Sequence, residues 1–575
     1  MNKLEKSLLI LDPQERKNAV KVFFFIIVGT LLEMLGIGLI IPLIKFVNNI
    51  ESLNSIYLGR YIYDYFSEFN KTQLAIYAFL LFLIISFLKM IGLAAIIKFQ
   101  TNFTYNLLTS ISSRLFLNYL NKEYSFFLKN NSSYLVKNTL TETQLFITHI
   151  VSPFITVITE IMVLIGILVI LIFIDFIGTL VISGLMCIFG LVFFVSIRKK
   201  LKKLGSERIY YEGQRLKYLT EGYNSIKEIK ITGREMFYYD NYYNSVKKSI
   251  NATAGQVYIN QIPRLVLEFL GVFVICIYIF LQIWRGVVFE ELISVLIVYA
   301  IAAFRLMPSV NRVLGGISSI QFSKDIINHI YIDNNEIEYW QMNQKEIGSF
   351  QSLTAKKLNY FYDNGVVGLN KIDLIINKGD MIALIGESGS GKTTLINVLM
   401  GLLPVSNGDL LINNIDIKEC KFNWMKKIGY VGQNINLVDD TIIKNIAFGV
   451  KDKDIDINRV NDLINILGMR NFISKFDAGI NTKVGDKGAL LSGGQKQRIC
   501  IARALYNYPE VLILDEATSA LDNETEEMIM ESISLLKGKI TIIFITHRVS
   551  TIRYCDKVIK LSNGSIVEVV DQVGL

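Results

Sequence analysis

At 575 residues the chain exceeds what one hydrophobic core organises, so at least two domains are expected. With 51% apolar and only 19% charged residues and a mean hydropathy of +0.40, it is neither a disordered chain nor an ordinary soluble globule, but has the balance of a membrane protein. The formal net charge of +8 then belongs first to cytoplasmic loops, and no nucleic-acid partner is expected.

Met1 to Lys21 is polar and mixed in charge. No small-residue cleavage site follows the first apolar run, which reads as a retained anchor. Six apolar segments can cross roughly 30 Å of hydrocarbon as helices. They lie near 22–44, 74–97, 150–174, 176–197, 262–284 and 292–307, the last short and continuing into water. Together they make 1–330 an all-α transmembrane domain. Between Arg198 and Lys248 stand 13 Lys/Arg against six acids, while 46–72 holds only Arg60 and Lys71. The positive-inside rule puts both termini in the cytoplasm and the 46–73 loop outside. Spaced apolar residues there (Ile56, Tyr57, Tyr61, Tyr65, Phe66) predict a short helix on the membrane surface.

The cytoplasmic connections, about 98–149 and 198–261, are too long for loops and are filled with helix-compatible residues. The spans are expected to continue as helices and turn back near Tyr124–Tyr134 and Leu219–Gly233. Residues 331–350, rich in Asn, Glu and Ile, read as a linker. From 351 to 575, β-branched runs alternate with helices as in a P-loop α/β domain. The cysteines at 187, 276, 420, 500 and 555 show no metal spacing and read as isolated thiols.

The apolar strand Met381–Ile385 leads into Gly386-Glu387-Ser388-Gly389-Ser390-Gly391-Lys392-Thr393, followed by Thr394. Glycines let backbone N–H groups curl round phosphates, and the next helix adds its positive end. Lys392 is expected to reach the β- and γ-phosphates, and Thr393 to ligate Mg²⁺. A second strand, Val511–Leu514, ends in Asp515, the metal-side carboxylate, and Glu516, positioned to polarise water. A lone P-loop match could be a chance Gly-rich turn. The ordered strands around this one argue against that.

Charges within the spans also need a reason, since each costs about 2.5–3.5 kcal/mol at mid-membrane. Lys89 falls about 22 Å below the outer start of its span, and Arg305 about 21 Å, at the helical rise per residue. Arg264 sits near an inner end. These three form a candidate patch for an anionic headgroup. The plainer readings are snorkelling to the interface and, for Arg264, pairing with Glu268 one turn away.

Leu491-Ser492-Gly493-Gly494-Gln495, with Gln433, His547 and Ser519-Ala-Leu-Asp522, makes residues 353–569 resemble the nucleotide-binding domain of ATP-binding-cassette (ABC) transporters. The resemblance implies ATP and Mg²⁺ as cofactors and adenine stacking by Tyr362. It further implies Mg²⁺ and water sensing by Gln433, γ-phosphate contact by His547 and a link between sites through Asp522. Ser492 to Gln495 would cap ATP on an opposing domain, so a homodimer with twelve spans and two ATP sites is expected. Val431-Gly432 before Gln433 departs from relatives with Pro or Ser there. Asp440 to Gly449 resembles exporters that fuse both domains, which implies the type IV exporter fold.

Leu32-Glu33-Met34-Leu35-Gly36-Ile37-Gly38 with Pro42, Ile226 to Ile231 with Gly233-Arg234-Glu235, and Ala303-Phe-Arg305-Leu-Met-Pro308 through Arg312 resemble flippases of lipid-linked oligosaccharides. That resemblance implies a polyprenyl-pyrophosphate cargo moved across the inner membrane. The competing expectations are a peptide or drug exporter and, from another class, an ATP-gated channel or regulatory membrane ATPase.

Overall fold

The computed structural model describes residues 10–39, 71–174, 176–284, 289–335, 344–362, 365–517 and 523–571. The surface helix expected around 56–66 and Asp522 lie outside these residues. Two units are present: Met1–Lys122 with Lys129–Glu338, and Glu123–Leu128 with Tyr339–Leu575.

Among the described residues the first unit has six long helices: α1 Pro13–Gly38, α2 Lys71–Leu120, α3 Ser152–Ile174, α4 Phe176–Asn224, α5 Glu235–Trp284 and α6 Phe289–Ser323. Local chemistry sets the start of α1. Pro13 occupies the first turn, where a missing N–H costs nothing, and Glu15 reaches back to accept from the Asp12 amide at 2.7 Å. Helices α2 and α5 have 50 residues each, about 75 Å at the helical rise. That is more than twice the hydrocarbon thickness of roughly 30 Å. Among the described residues, Pro13–Gly36, Ile76–Leu120 and Ser132–Phe173 are long and apolar enough to cross a membrane.

Short helices mark the reversals. Between α2 and α3 stand Tyr124–Lys129 and Ser132–Lys137, the second capped by Asn131, whose side chain accepts from Ser133 N. Between α4 and α5 stands Ile226–Thr232, ended by Gly233 at φ +65°, a left-handed position that suits glycine. Two π-helical turns, Asn138–Glu142 and Ile147–Val151, flank the single α-turn Thr143–Phe146 before α3. The segment expected as a linker starts as helix instead, because Ile326–Asn335 continues the chain beyond α6. Ile326, Ile327 and Ile330 are buried against Ile111, Phe146 and Ile147, and that apolar face holds the helix in place.

Helix α4 packs along α5, and α6 packs on α3 and α4. Gly205 of α4 lies so near α6 that a β-carbon there would stand 1.9 Å from the Phe322 carbonyl oxygen. A side chain would force the two helices apart.

The described residues of the second unit form two sheets. Strands β1 Ser352–Phe361, β2 Val367–Asn377, β4 Asn407–Ile412 and β5 Ile415–Asp416 form an antiparallel sheet ordered β2-β1-β4-β5. Strands β3 Met381–Ile385, β6 Ile428–Val431, β7 Val511–Asp515, β8 Thr541–Ile545, β9 Lys557–Ser562 and β10 Ser565–Asp571 form the other, ordered β10-β9-β3-β8-β7-β6. In its parallel centre, successive residues serve opposite cores. Leu512, Leu514, Ile542 and Phe544 join one cluster, and Val511, Ile513, Ile543 and Ile545 join the other. Covering on both faces explains why these strands read as unbroken apolar runs. Helix α7, Lys392–Leu399, follows β3, and α8, Gly493–Tyr506, precedes β7.

Gly205→Ala is expected to lower stability by about 1–3 kcal/mol through forced separation of α4 and α6. Gly190→Ala, whose added β-carbon meets only Leu314 Cδ2 at 3.7 Å, should leave stability unchanged or raised. Thermal unfolding of the two variants in detergent checks the contrast.

Candidate functional site

Strands β3, β8 and β7 run parallel in a register that pairs Leu384 with Ile545 and Ile545 with Asp515. Their carboxyl ends therefore coincide. The P-loop leaves β3, Thr546-His547 leaves β8 and Glu516 leaves β7 at one edge, the usual binding edge of such sheets.

The loop is shaped by backbone that only glycine adopts easily. Gly386 has φ +149°, and a β-carbon there would lie 2.4 Å from Leu561 O. Gly391 has φ +102° and starts α7 with no side-chain cap, so the first amides of that helix remain donors for an anion. Lys392 is buried and donates Nζ–H to the carbonyls of Gly386 (2.6 Å) and Glu387 (2.8 Å). Burial holds its pKa below the ordinary lysine value, with Glu516 and Asp515 opposing that shift. Ser390 Oγ is buried without a hydrogen-bond partner among the described residues. A curled loop, an uncapped helix start, a buried ammonium and a spare hydroxyl fit a nucleotide polyphosphate with Mg²⁺.

Thr393 is the second residue of α7 and is exposed, while Thr394 is buried. The Tyr362 hydroxyl lies 2.8 Å from Thr394 Oγ1, which ties the expected adenine platform to the P-loop helix. Asp515 is buried at the end of β7. Burial raises its pKa, with Glu516 adding to the rise, while Tyr430 and Lys392 oppose it. Tyr430, pushed up to about 12 by burial and by Asp515, donates its hydroxyl to Asp515 Oδ2 at 3.5 Å.

Glu516 adopts φ +49°, uncommon for a non-glycine residue and a mark of functional backbone. Its amide donates to Ile545 O at 3.0 Å, so the sheet itself holds the conformation. Gln433 Nε2 donates to one carboxylate oxygen at 2.7 Å, and His547 Nε2 stands 3.9 Å from the other. Two residues far apart in sequence thus meet on the Glu516 carboxylate.

Ser492 and Gln495 form a capping box at the start of α8: Ser492 Oγ accepts from Gln495 N, and Gln495 Oε1 accepts from Ser492 N at 2.9 Å. The motif is a rigid helix start with Gly493 and Gly494 in its first turn. Among the described residues, no hydrogen bond or ion pair joins it to the P-loop or Glu516.

Two buried networks carry no local signature that the sequence reading could use. Arg503 of α8 donates to Asn445 O (2.8 Å), Asn445 Oδ1 (2.7 Å) and Asn436 O (2.9 Å), tying the helix to the 436–449 segment. Glu526 accepts from Arg548, from Ser550 (3.2 Å) and from Thr551 (3.0 Å), fixing the turn after His547.

In the first unit, Arg305 of α6 pairs with Glu33 of α1. The Lys89 ammonium of α2 packs on Gly36, where a β-carbon would lie 2.6 Å from Nζ. Glu33 and Gly36 are one helical turn apart, so the two cations converge on one stretch of α1 from different helices. Arg264 is not part of that meeting. It pairs with Glu268 along its own helix at 2.9 Å, both side chains more than half exposed. Arg312 pairs with buried Glu160 of α3 at 2.8 Å.

Residues 369–519 match the family described as ABC transporter, and residues 22–328 match that described as ABC transporter transmembrane region. The heterocyst differentiation ATP-binding protein HepA of a Nostoc species is 34% identical over 60% of this chain and 57% of its own. An ATP-dependent lipid A-core flippase of Francisella tularensis is 38% identical over 39% of this chain and 38% of its own. The chain therefore spans less than two thirds of these relatives. A protein of the same name from Ralstonia nicotianae is 26% identical over 80% of this chain and 78% of its own. The solved structure of a bacterial Atm1-family ABC exporter with ATP bound superposes with a TM-score of 0.80 at 20% identity, covering 97% of this chain and 96% of that one. That likeness establishes the fold.

Glu526→Ala should cost about 3–5 kcal/mol, the range for breaking a buried ion pair, because Arg548 and two hydroxyls lose their acceptor. Chemical denaturation should show the loss, and Glu527→Ala, a neighbour outside the network, should show none.

Proposed function

The chain belongs to the ABC transporter family, and on that premise we propose that it is an ATP-hydrolysing flippase for an anionic glycolipid. The observation that carries the ATPase reading is the meeting of Gln433 and His547 on Glu516, at the sheet edge that also carries Lys392 and Asp515. Glu516 accepts the proton of the attacking water, and Gln433 holds the carboxylate in line. Lys392, Ser390 and the first amides of α7 bind the phosphates, and His547 lies on the γ-phosphate side. Thr393 and Asp515 would hold Mg²⁺, with Gln433 beside them; the ion, when bound, neutralises charge on the phosphate oxygens. Tyr362 stacks on adenine. Ser492, Gly493, Gly494 and Gln495 serve the site of a second copy, so the working unit is a homodimer in the inner membrane with its ATPase domains cytoplasmic.

The cargo reading rests on Arg305 and Lys89. A guanidinium within the membrane must be paired, and Glu33 meets that need at rest. A pyrophosphate offers the same guanidinium a doubly charged, bidentate partner and can displace the carboxylate. The lipid A-core flippases among the relatives support a glycolipid, and the resemblance in α1 and α6 supports a polyprenyl-pyrophosphate oligosaccharide.

Glu516→Gln is expected to cut steady-state ATP turnover by about 100- to 10,000-fold while ATP binding is retained. Turnover near wild type would overturn the assignment of the base. In proteoliposomes with ATP, labelled polyprenyl-pyrophosphate oligosaccharide should cross faster than a glycerolipid or a peptide. Arg305→Gln should slow that crossing and spare basal ATPase. Equal crossing by wild type and Arg305→Gln removes the headgroup role, and peptide crossing alone removes the lipid cargo.

A further inference from the structure

Below the apolar spans, the first unit holds a cavity of about 650 Å³, within the usual range for small-molecule sites. It lies between the π-helical turns that precede α3 and helices α4, α5 and α6. Arg208, Glu212, Arg215 and Ser249 line its polar side, and Leu145, Val257 and Phe322 its apolar side. One end reaches His149 and Gln261, which immediately precede the apolar stretches beginning at Ile150 and Ile262. Arg208 lies about 16 Å farther along, counted at the helical rise from Ile197.

The charges around the cavity do not balance. Arg208 is buried, donates Nη2–H to Glu142 at 3.1 Å, and lies over the Phe322 ring at 6.0 Å. Glu142 is fully buried, and its other oxygen is 3.6 Å from buried Lys137. Glu212 is occupied by Arg215 at 3.0 Å and Ser249 at 3.2 Å. Among these five groups Lys137, Arg208 and partly exposed Arg215 stand against two carboxylates, an excess of one positive charge. Arg208 Nε is buried with no hydrogen-bond partner among the described residues. A buried guanidinium with a spare N–H and an unbalanced charge calls for an anion. The neighbouring π-helical turns are themselves a departure from regular helix of the kind that gathers at functional sites.

We propose that this cavity binds a single-chain lipid with a phosphodiester head. The head pairs with the Arg208 guanidinium, and the chain lies along Leu145, Val257 and Phe322 toward the membrane end. One negative charge completes the count, whereas a zwitterion or a neutral ligand leaves the excess standing. The site is separate from the Arg305–Glu33 pair and does not depend on the identity of the cargo.

The test uses the full-length protein in neutral detergent, with binding read by native mass spectrometry. Lysophosphatidylglycerol is expected to bind once per chain, about tenfold tighter than lysophosphatidylcholine of the same chain length, the size of one charge-assisted hydrogen bond. Arg208→Gln should weaken it about tenfold by removing that donor. Ala254→Trp, which fills the cavity from α5 without touching an ion pair, should abolish binding and keeps the test valid if Arg208→Gln fails to fold. Equal binding of the two lysolipids overturns the proposal. So does lysophosphatidylglycerol binding no tighter than inorganic phosphate, or unchanged binding by Ala254→Trp.

Discussion

The parallel register of β3, β8 and β7 is the constraint on which the chemistry of the second unit depends. Leu384, Ile545 and Asp515 stand level across three strands, and whatever follows each strand must then share one edge. A slip of one residue would exchange the two faces of a strand. Val511 and Ile513 would then face the core that now takes Leu512 and Leu514, and Glu516 would lose the Ile545 carbonyl that anchors its amide. Packing on both faces fixes the register, and the register sets the distance between Glu516 and the glycine-rich loop 386–393. The geometry of this edge is a by-product of a core that tolerates only one alignment.

The membrane unit is governed by a different necessity, the placing of carboxylates opposite guanidinium groups. Glu33 with Arg305, Glu160 with Arg312 and Glu142 with Arg208 each join residues on different helices. Such pairs add little net stability, because desolvation offsets attraction, but losing one member leaves an uncompensated charge. They therefore act as registry marks between helices whose apolar surfaces would pack in several ways. A pair that an anionic ligand can enter is also a natural place for the helices to respond to that ligand.

Much of this was legible in sequence where function is written in consecutive residues. The P-loop needs its glycines at fixed spacing, and a buried strand followed by two acids needs no distant information. The pairing of Glu33 with Arg305 spans 272 residues, and periodicity carries no trace of it; only the charges themselves could be flagged. Glu526 looks like any acid on an amphipathic helix until Arg548 is folded onto it. The Ser492–Gln495 motif resembles a family element, yet it is also an ordinary capping box, so part of its pattern has a local structural reason. Residues 331–335, at the start of the expected linker, continue a helix that begins at Ile326 and whose isoleucines bury against α2 and the turns before α3. Tertiary burial overrode composition there.

Proline placement adds a mechanical consequence. Pro263 and Pro308 lie inside α5 and α6, next to Arg264 and one turn beyond Arg305. Each removes the hydrogen bond to the carbonyl four residues earlier, that of Ile259 in one helix and Phe304 in the other. Bending is therefore easiest close to the in-membrane arginines. From Pro263 to the far end of α5 at Glu235 is about 42 Å of helix, so a bend of about 10° would carry that end about 7 Å. Any bend at Pro263 is thus amplified along the rigid stretch of α5 into more than one helical turn of rise at its far end.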